Sequence, residues 1–466
     1  MNQKEGEWIK IVEMEEKYIL FNPFFTLHIF PEGGFISREM SKTPESLIGK
    51  ENLITKGTWF INKKAAEFFY LCDGKKTLKE IMKTLYPEID YNYLIEKISP
   101  FINEAIKNQD ILLFSSPFLR KRKVTGSFDH FYPLHVALEL TYLCNLRCKH
   151  CYALASKDNK KFLSFEEIKN MLNFLKEKGL RIIELTGGEP FLHPDFYQIL
   201  KFCLENFEYV SILTNGTLVN ENNVEIFKEY KNKILINISL DGPNAEIHDK
   251  KRGISGSFEK TLSSIQIFRK IGCFVRVSMS VYPDTVRYIE DTLKLAIEKG
   301  ANKFVWNSVL PFGRGKDIKW EKDKGREIFE IENEIIFKYK NFIQIIEKEE
   351  MENMRKYQNC GGGWRSIVID PEGNIKPCVF IKKEECIIGN LIKENPEDIF
   401  KKERILKFYK LSLPKKEICD ECENLYYCEF CFARAISKYK EKGKKECKWA
   451  EVVKIEEIFN LKNENS

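Results

Sequence analysis

The sequence predicts an α/β protein: a partial (β/α)6 barrel of the TIM type, a winged-helix-like α+β domain before it, and a cysteine-rich region after it. Three observations carry this prediction. Short apolar runs alternate with helix-like segments from residue 133 to 345. The first 125 residues hold no clustered cysteine and place strand-like runs ahead of helix-like ones. Ten of the 14 cysteines fall into two clusters, one inside the alternating region and one beyond it.

The N-terminal domain is predicted over residues 1–125. Its strand-like segments are Tyr18–Phe21, Phe25–Phe30 and Gly57–Ile61, and its helix-like segments are Lys63–Leu71, Thr77–Leu85 and Tyr91–Asn108. Asp73-Gly74 breaks the first helix from the second, and Thr77 with Glu80 forms a capping-box pattern. Ile111–Phe114 returns as a strand. Phe118–Ser127 is basic and irregular, so it reads as a linker.

The barrel is predicted over residues 126–345. Its strands are Val136–Leu140, Ile182–Leu185, Tyr209–Leu213, Ile234–Leu240, Phe274–Ser280 and Lys303–Val309. Ser164–Lys178, Asp195–Asn206, Val224–Tyr230, Phe258–Ile271 and Asp284–Lys299 read as the helices between them. Strands this short and apolar are those of a buried parallel sheet. Alternation at this spacing implies right-handed βαβ units. Six units fall short of a full eight. The third domain is predicted over residues 346–466; within it residues 355–450 are rich in cysteine and loops with little hydrophobic periodicity, so bound metal is expected to order them.

Composition excludes several classes. No apolar run approaches the roughly 20 residues of a membrane helix. Met1 to Glu16 is polar and rich in acid, unlike a signal peptide, so a cytoplasmic protein is expected. Net charge is +6, from 75 basic and 69 acidic residues spread along the chain, which gives nucleic-acid binding no support. A chain that is neither short nor signal-bearing does not read as a disulfide scaffold. Its clustered cysteines read as metal ligands. Cys72, Cys203, Cys273 and Cys386 are scattered and read as small buried hydrophobes.

Cys144, Cys148 and Cys151 form a CxxxCxxC loop directly after the first barrel strand. Three thiolates so spaced can hold three irons of a [4Fe–4S] cube and leave the fourth iron open to a small molecule. A structural zinc site with His150 as fourth ligand is the alternative. A loop at the C-terminal edge of a barrel strand is where such folds place active sites.

This segment resembles the radical S-adenosylmethionine (SAM) superfamily, and the resemblance extends through the α/β region. Gly187-Gly188-Glu189-Pro190 matches the superfamily's GGEP element, which implies that Gly188 and Glu189 receive the SAM amino group. By the same resemblance Ser239 and Arg252 contact SAM, and His150 and Val309 flank its adenine. The chemistry implied is one-electron reduction of the sulfonium, since cluster potentials fall to about −700 mV. The 5′-deoxyadenosyl radical so formed abstracts hydrogen from an unactivated C–H bond. The resemblance assigns no catalytic side chain beyond these contacts.

The second cluster reads Cys419-x2-Cys422-x5-Cys428-x2-Cys431, with Cys447 downstream and Cys360 and Cys378 upstream. It resembles the SPASM extension of radical SAM peptide-modifying enzymes, which holds two auxiliary [4Fe–4S] clusters. The resemblance implies that Cys419, Cys422, Cys428 and Cys447 bind one cluster fully. Cys360, Cys378 and Cys431 would bind the other, its open iron taking a substrate thiolate, Cys386 or a non-cysteine group. A zinc-ribbon-like site is the alternative. Val379 follows Cys378 where sulfatase maturases carry a basic aspartate, which disfavours that activity.

Residues 17–115, with Ile61 to Ile81 as the matching stretch, resemble the leader-peptide recognition domain of ribosomal-peptide maturases, in which a leader adds as a strand to a sheet edge; a generic winged-helix fold is the alternative. DNA binding is disfavoured, because Thr77–Leu85 carries only two lysines, offset by one glutamate. These resemblances together imply a radical SAM peptide maturase with three [4Fe–4S] clusters, fed by an external electron donor such as flavodoxin or ferredoxin. The favoured product is a cysteine thioether of the sactionine or ranthionine type. Carbon–carbon crosslinking, epimerisation, tetrapyrrole modification, or a non-catalytic metal-ordered peptide-binding protein are the other readings.

Overall fold

In a computed structural model, residues 14–38, 58–320, 330–331, 334–343, 359–420, 422–443 and 446–461 are described. Gly57, Met1 to Glu13 and the 345/346 boundary lie outside them. The chain divides into two compact units, the first reaching Phe131 and the second starting, among described residues, at Tyr132.

The first unit holds two sheets. One orders β1 (Tyr18–Phe21) between β5 (Asp73–Thr77) and β6 (Ile111–Phe114). The other runs β4-β3-β2-β7, from Thr58–Asn62, Gly33–Arg38, Phe25–Phe30 and Lys123–Gly126. Helices α1 (Lys63–Leu71), α2 (Leu78–Leu85) and α3 (Tyr91–Lys107) pack Phe68, Phe69, Leu78, Ile81 and Ile102 against Ile19, Phe21 and Leu27. Each helix starts on a side-chain cap: Asn62 for α1, the reciprocal Thr77–Glu80 box for α2 and Asp90 for α3. Two expectations change here. The Asp73-Gly74 break is the start of β5, antiparallel to β1. The expected linker contributes β7, parallel to β2 from Thr26↔Lys123 to Ile29↔Gly126. Both strands are held by backbone pairing with distant segments, which leaves no periodicity in their own polar side chains.

The second unit is built on parallel strands β8 (His135–Thr141), β9 (Ile182–Gly187), β10 (Tyr209–Thr214), β11 (Ile234–Ser239), β12 (Phe274–Val281) and β13 (Lys303–Ser308). They neighbour one another in chain order. The intervening helices are α4 (Phe165–Glu177), α5 (Phe196–Asn206), α6 (Glu225–Glu229), α7 (Ala245–Arg252), α8 (Ser257–Lys270) and α9 (Ile289–Glu298). The arrangement stays open: the free side of β8 pairs with β14 (Ser366–Ile369), followed by antiparallel β15 (Asn374–Lys376) and β16 (Gly389–Asn390). The cysteine-rich region thus extends the barrel's own sheet.

The strands alternate more than their apolar look suggested. Val136, Leu138, Ile183, Leu185, Ile212, Ile236, Ile238, Val275 and Val277 are all buried on one face. The other face carries Glu139, Glu184, Ser211, Asn237, Ser239, Arg276 and Ser278, aligned by the registers Glu184↔Ser211, Asn237↔Arg276 and Ser239↔Ser278. Arg276 Nε donates to Asn237 Oδ1 at 2.8 Å, and Asn237 Nδ2 to Ser278 Oγ at 3.1 Å. This face is polar and held by its own hydrogen bonds. Helix α7 was not expected from sequence, because AEIHDKKR has no apolar stripe. Its ends define it instead. Asn244 accepts from Ile247 N–H at 3.0 Å, and Gly253 closes it at φ +77°. The scattered Cys72, Cys203, Cys273 and Cys386 are all buried.

Candidate functional site

The C-terminal ends of the strands converge on the loop after β8. Its Cys144 and Cys148 are 8% exposed and pack with Cys151, Leu146 and Ala155. The loop is pinned by backbone bonds: Cys144 N–H to Ser156 O (3.1 Å), Arg147 N–H to Arg252 O (3.0 Å) and Lys149 N–H to Lys251 O (3.0 Å). Burial pushes the Cys144 thiol up to about 12, with Glu189, Cys148 and Cys151 adding to it against the N–H of Leu146. Burial likewise raises Cys148, opposed by Arg252. A dry pocket of three neighbouring thiols favours thiolates only if a cation supplies the compensating charge. The donor set therefore fits an iron–sulfur cube.

Glycine lets two other elements close on this loop. A Cβ on Gly188 would meet Leu143 O at 2.2 Å, and one on Gly313 would meet Cys151 O at 2.3 Å. Arg314, beside Gly313, donates from Nε to Cys148 O (2.7 Å), from Nη1 to Ala155 O (2.9 Å) and from its backbone N–H to Cys151 O (3.0 Å). Gly188→Ala is expected to displace the loop, because a backbone carbonyl cannot yield as a flexible side chain does. The purified variant should lack about four of about twelve irons, the content of one cube in three; full iron would refute the close approach as a requirement.

Glu189 is fully buried. It accepts from Thr214 Oγ1 at 2.7 Å and Asn215 N–H at 2.8 Å, tying the end of β10 to the end of β9. Burial pushes its carboxyl up to about 7 against those same hydrogen bonds. Asn215 in turn donates to Asn145 of the cysteine loop at 3.0 Å.

Asp241, just past β11, is the hub that sequence reading left without a role. It is fully buried. Its Oδ2 lies 2.8 Å from Arg252 Nε and 3.8 Å from His150 Nδ1, and its Oδ1 accepts from Ser280 N–H at 2.8 Å. Burial would raise its pKa, but Arg252, His150 and His248 outweigh that and hold it below the usual carboxylate range. Arg252 Nη1 reaches Cys148 Sγ at 3.7 Å, so Arg252 bridges Asp241 and the cysteine loop. His150 is bonded to Tyr282 OH (2.6 Å) and Ser280 Oγ (3.3 Å), and burial, foremost, lowers it to about 4. Val309 is buried beside it: a Cβ on Gly315 would sit 3.4 Å from Val309 Cγ1 and 3.6 Å from His150 Cα. Ser239 is half-buried at the end of β11, in register with Ser278. The strand-end residues singled out from sequence thus share one rim. Asp241, Tyr282, Ser280 and Arg314 were missed; the position of Asp241 directly after a strand was the available signal.

The later cysteines fall into two sets. Burial pushes Cys360 to about 11 and Cys378 to about 12, and Cys431 is the next influence on both. Burial pushes Cys428 to about 12, followed by Cys447, Cys422 and Cys419. Those four line a cavity of roughly 300 Å³ with Trp449 and Lys438. The charged groups acting on Cys386 are Lys407 and Glu385, with no cysteine of either set among them. Among the described residues no helix is long and apolar enough to cross a membrane.

Known proteins resemble this chain in both of its cysteine-bearing regions. The model of the radical SAM superfamily matches residues 138–296, and that of SPASM, an iron–sulfur cluster-binding domain, matches residues 360–423. The antilisterial bacteriocin subtilosin biosynthesis protein AlbA of Bacillus subtilis is 32% identical over 461 residues, covering 96% of this chain and 99% of its own. The sporulation killing factor maturation protein SkfB of the same organism is 28% identical over 291 residues, covering 61% of this chain and 68% of its own. Among solved structures, Streptococcus suis SuiB bound to its precursor peptide SuiA superposes with a TM-score of 0.63 at 17% identity, over 92% of this chain and 99% of that one.

Proposed function

The chain belongs to the radical SAM superfamily and carries a SPASM iron–sulfur domain, and from that premise we propose that it is a maturase of a ribosomally made peptide. It binds a precursor by its leader and installs a thioether between a cysteine sulfur and a peptide carbon. The end-to-end similarity to a bacteriocin biosynthesis protein supports the substrate class. The observation that carries the bond type is the gathering of three thiols, Cys360, Cys378 and Cys431, which act on one another, while no cysteine acts on Cys386. Such a set leaves a place for a substrate thiolate.

We assign residues 1–125 to leader recognition, 126–345 to the SAM-binding barrel and 346–466 to the auxiliary clusters. Among the described residues of the first unit β4 is an edge strand with Trp59 45% exposed, a surface suited to strand addition. Cys144, Cys148 and Cys151 are assigned to the SAM-binding cluster, and Cys419, Cys422, Cys428 and Cys447 to the fully ligated auxiliary one. Gly188, Glu189, Ser239, Arg252, His150 and Val309 are assigned to SAM. When bound, cluster and SAM supply a carbon radical able to take hydrogen from an unactivated C–H bond. The chain's own residues orient and enclose. Glu189 and Gly188 fix the rim over the cysteine loop, neutral His150 and Val309 form an apolar flank, and Arg252 places positive charge beside Cys148. The reaction is read as cytoplasmic, with electrons from a small external donor such as flavodoxin or ferredoxin.

The test is Cys360→Ser with a leader-bearing, cysteine-containing precursor peptide. Expected are retained 5′-deoxyadenosine release, loss of the thioether product by mass spectrometry, and a fall from about twelve irons towards about eight. Thioether formation at the wild-type rate with both auxiliary clusters assembled would overturn the role of that site.

A further inference from the structure

We infer that Tyr282 and Lys251 form a brace behind His150: they are positioning residues that hold its imidazole as a wall of the adenine site, and so set the affinity for SAM. The inference rests on the reading of His150 as an adenine contact. The three side chains come from the cysteine loop, the C-terminal end of α7 and the turn after β12. Tyr282 is 4% exposed, so it offers a ligand almost no surface, whereas 16% of the His150 side chain stays open. What Tyr282 touches is the imidazole. Its OH lies 2.6 Å from His150 Nδ1, and its ring stands edge-on to that of His150 with centroids 5.7 Å apart. Ser280 Oγ holds Nε2 at 3.3 Å. With a partner on each nitrogen, the ring can neither tilt nor turn over. Asp241 Oδ2, 3.8 Å from Nδ1, is too far to replace the hydroxyl.

Tyr282 is fixed in turn. Its N–H donates to Thr285 Oγ1 at 2.8 Å, and its carbonyl accepts from Thr285 N–H at 2.9 Å, which closes the turn after β12. Asp284 on that turn takes the Lys251 ammonium at 2.6 and 2.7 Å. The same Nζ lies 4.1 Å from the centroid of the Tyr282 ring. A cation this close is drawn to the negative face of the ring and pulls electron density from it, which makes the phenol a stronger donor to His150. Lys251 also grips the loop through its backbone, where its carbonyl accepts from the N–H of Lys149, the residue directly before His150. The brace thus holds the side chain and the backbone of the loop at one point. Its outer end is spare: the Asp284 side chain is 65% exposed, so water solvates it when the lysine is removed, and the fold loses little.

The experiment measures the Kd for SAM of the full holoenzyme by equilibrium dialysis, and its 5′-deoxyadenosine release at saturating SAM. The variants are Tyr282→Phe, Lys251→Met, Lys251→Arg, His150→Ala and the double variant Tyr282→Phe with His150→Ala. Tyr282→Phe keeps the ring and its cation and removes only the hydroxyl. Expected is a Kd raised by about fivefold to tenfold, the scale of one lost hydrogen bond. Release at saturating SAM should stay within about twofold of wild type, as for a change in binding alone, and iron content should be full. Lys251→Met should raise Kd in the same direction, and Lys251→Arg should restore it, since a guanidinium also sits over a phenol ring. In the His150→Ala background the hydroxyl should no longer matter, because a brace acts only through what it holds. Wild-type affinity in Tyr282→Phe, loss of its cluster iron, a fall in release at unchanged Kd, or additive losses in the double variant would each overturn the inference. If His150→Ala itself binds SAM as wild type does, the assignment of His150 to adenine fails and the inference falls with it.

Discussion

Asp241→Asn is expected to lower 5′-deoxyadenosine release by about 100- to 1,000-fold, with the cysteine loop still in sequence and every thiol intact. The substitution changes one charge and almost no volume. Asp241 is fully buried and Arg252 is 6% exposed, so their 2.8 Å contact is a buried ion pair. Removing one partner of such a pair costs about 3–5 kcal/mol, because the remaining charge is stranded in a dry site. Here the stranded guanidinium sits 3.7 Å from Cys148 Sγ, where its relaxation is felt by the cluster. Ser280 N–H keeps an acceptor in the amide oxygen, so the strand end is spared and the effect is electrostatic. Release of 5′-deoxyadenosine under dithionite reports the loss, and iron content separates a missing cluster from a mispositioned SAM. A second variant, Asp241→Asn with Arg252→Met, removes the stranded charge and should recover folded stability but not SAM cleavage. Wild-type release by Asp241→Asn would mean that the ion pair does not organise the site.

Much of this site was legible because chemistry fixed the spacing. Cys144, Cys148 and Cys151 lie on one short loop, so their proximity is covalent. The six strands were legible because apolar residues recur in each, with helices at the right distance between them. What escaped notice depends on partners far along the chain. Asp241 gains its role only when α7 returns Arg252, the cysteine loop brings His150 and β12 brings Ser280. Arg314 looks like one more basic residue in a glycine turn until its three hydrogen bonds to the loop are seen. The polar barrel face was hidden in strands that read as apolar, since Glu139, Glu184 and Arg276 are single charges among aliphatics. Strands β14 to β16 carry too few residues for any periodicity. Their existence is decided by the open edge of β8, a tertiary fact.

That edge carries the second large prediction. Lys376→Met is expected to destabilise the attachment of the cysteine-rich region by about 3–5 kcal/mol. Lys376 is 6% exposed and Glu139 fully buried, and their charges meet at 2.9 Å across the sheet. Glu139 Oε2 also accepts from Tyr142 OH at 3.0 Å, while its Oε1 has no hydrogen-bond partner among the described residues. A carboxylate so placed has little to fall back on when the lysine is gone. The pair joins the two cysteine regions, Tyr142 standing two residues before Cys144 and Lys376 two before Cys378. Its loss should loosen both loops together. Hydrogen exchange of the amides in Ser366–Ile369 and Asn374–Lys376 measures the effect directly, and their protection should fall by about 100-fold or more if the full cost is felt locally. The control is Lys376→Met combined with Glu139→Met. Replacing both charges with apolar groups removes the desolvation penalty along with the attraction, so the double variant should return close to wild-type protection. Wild-type exchange in the single variant would show the pair to be dispensable. A double variant as damaged as the single one would place its value in packing or in the Tyr142 hydrogen bond, rather than in the charge that Lys376 supplies to Glu139.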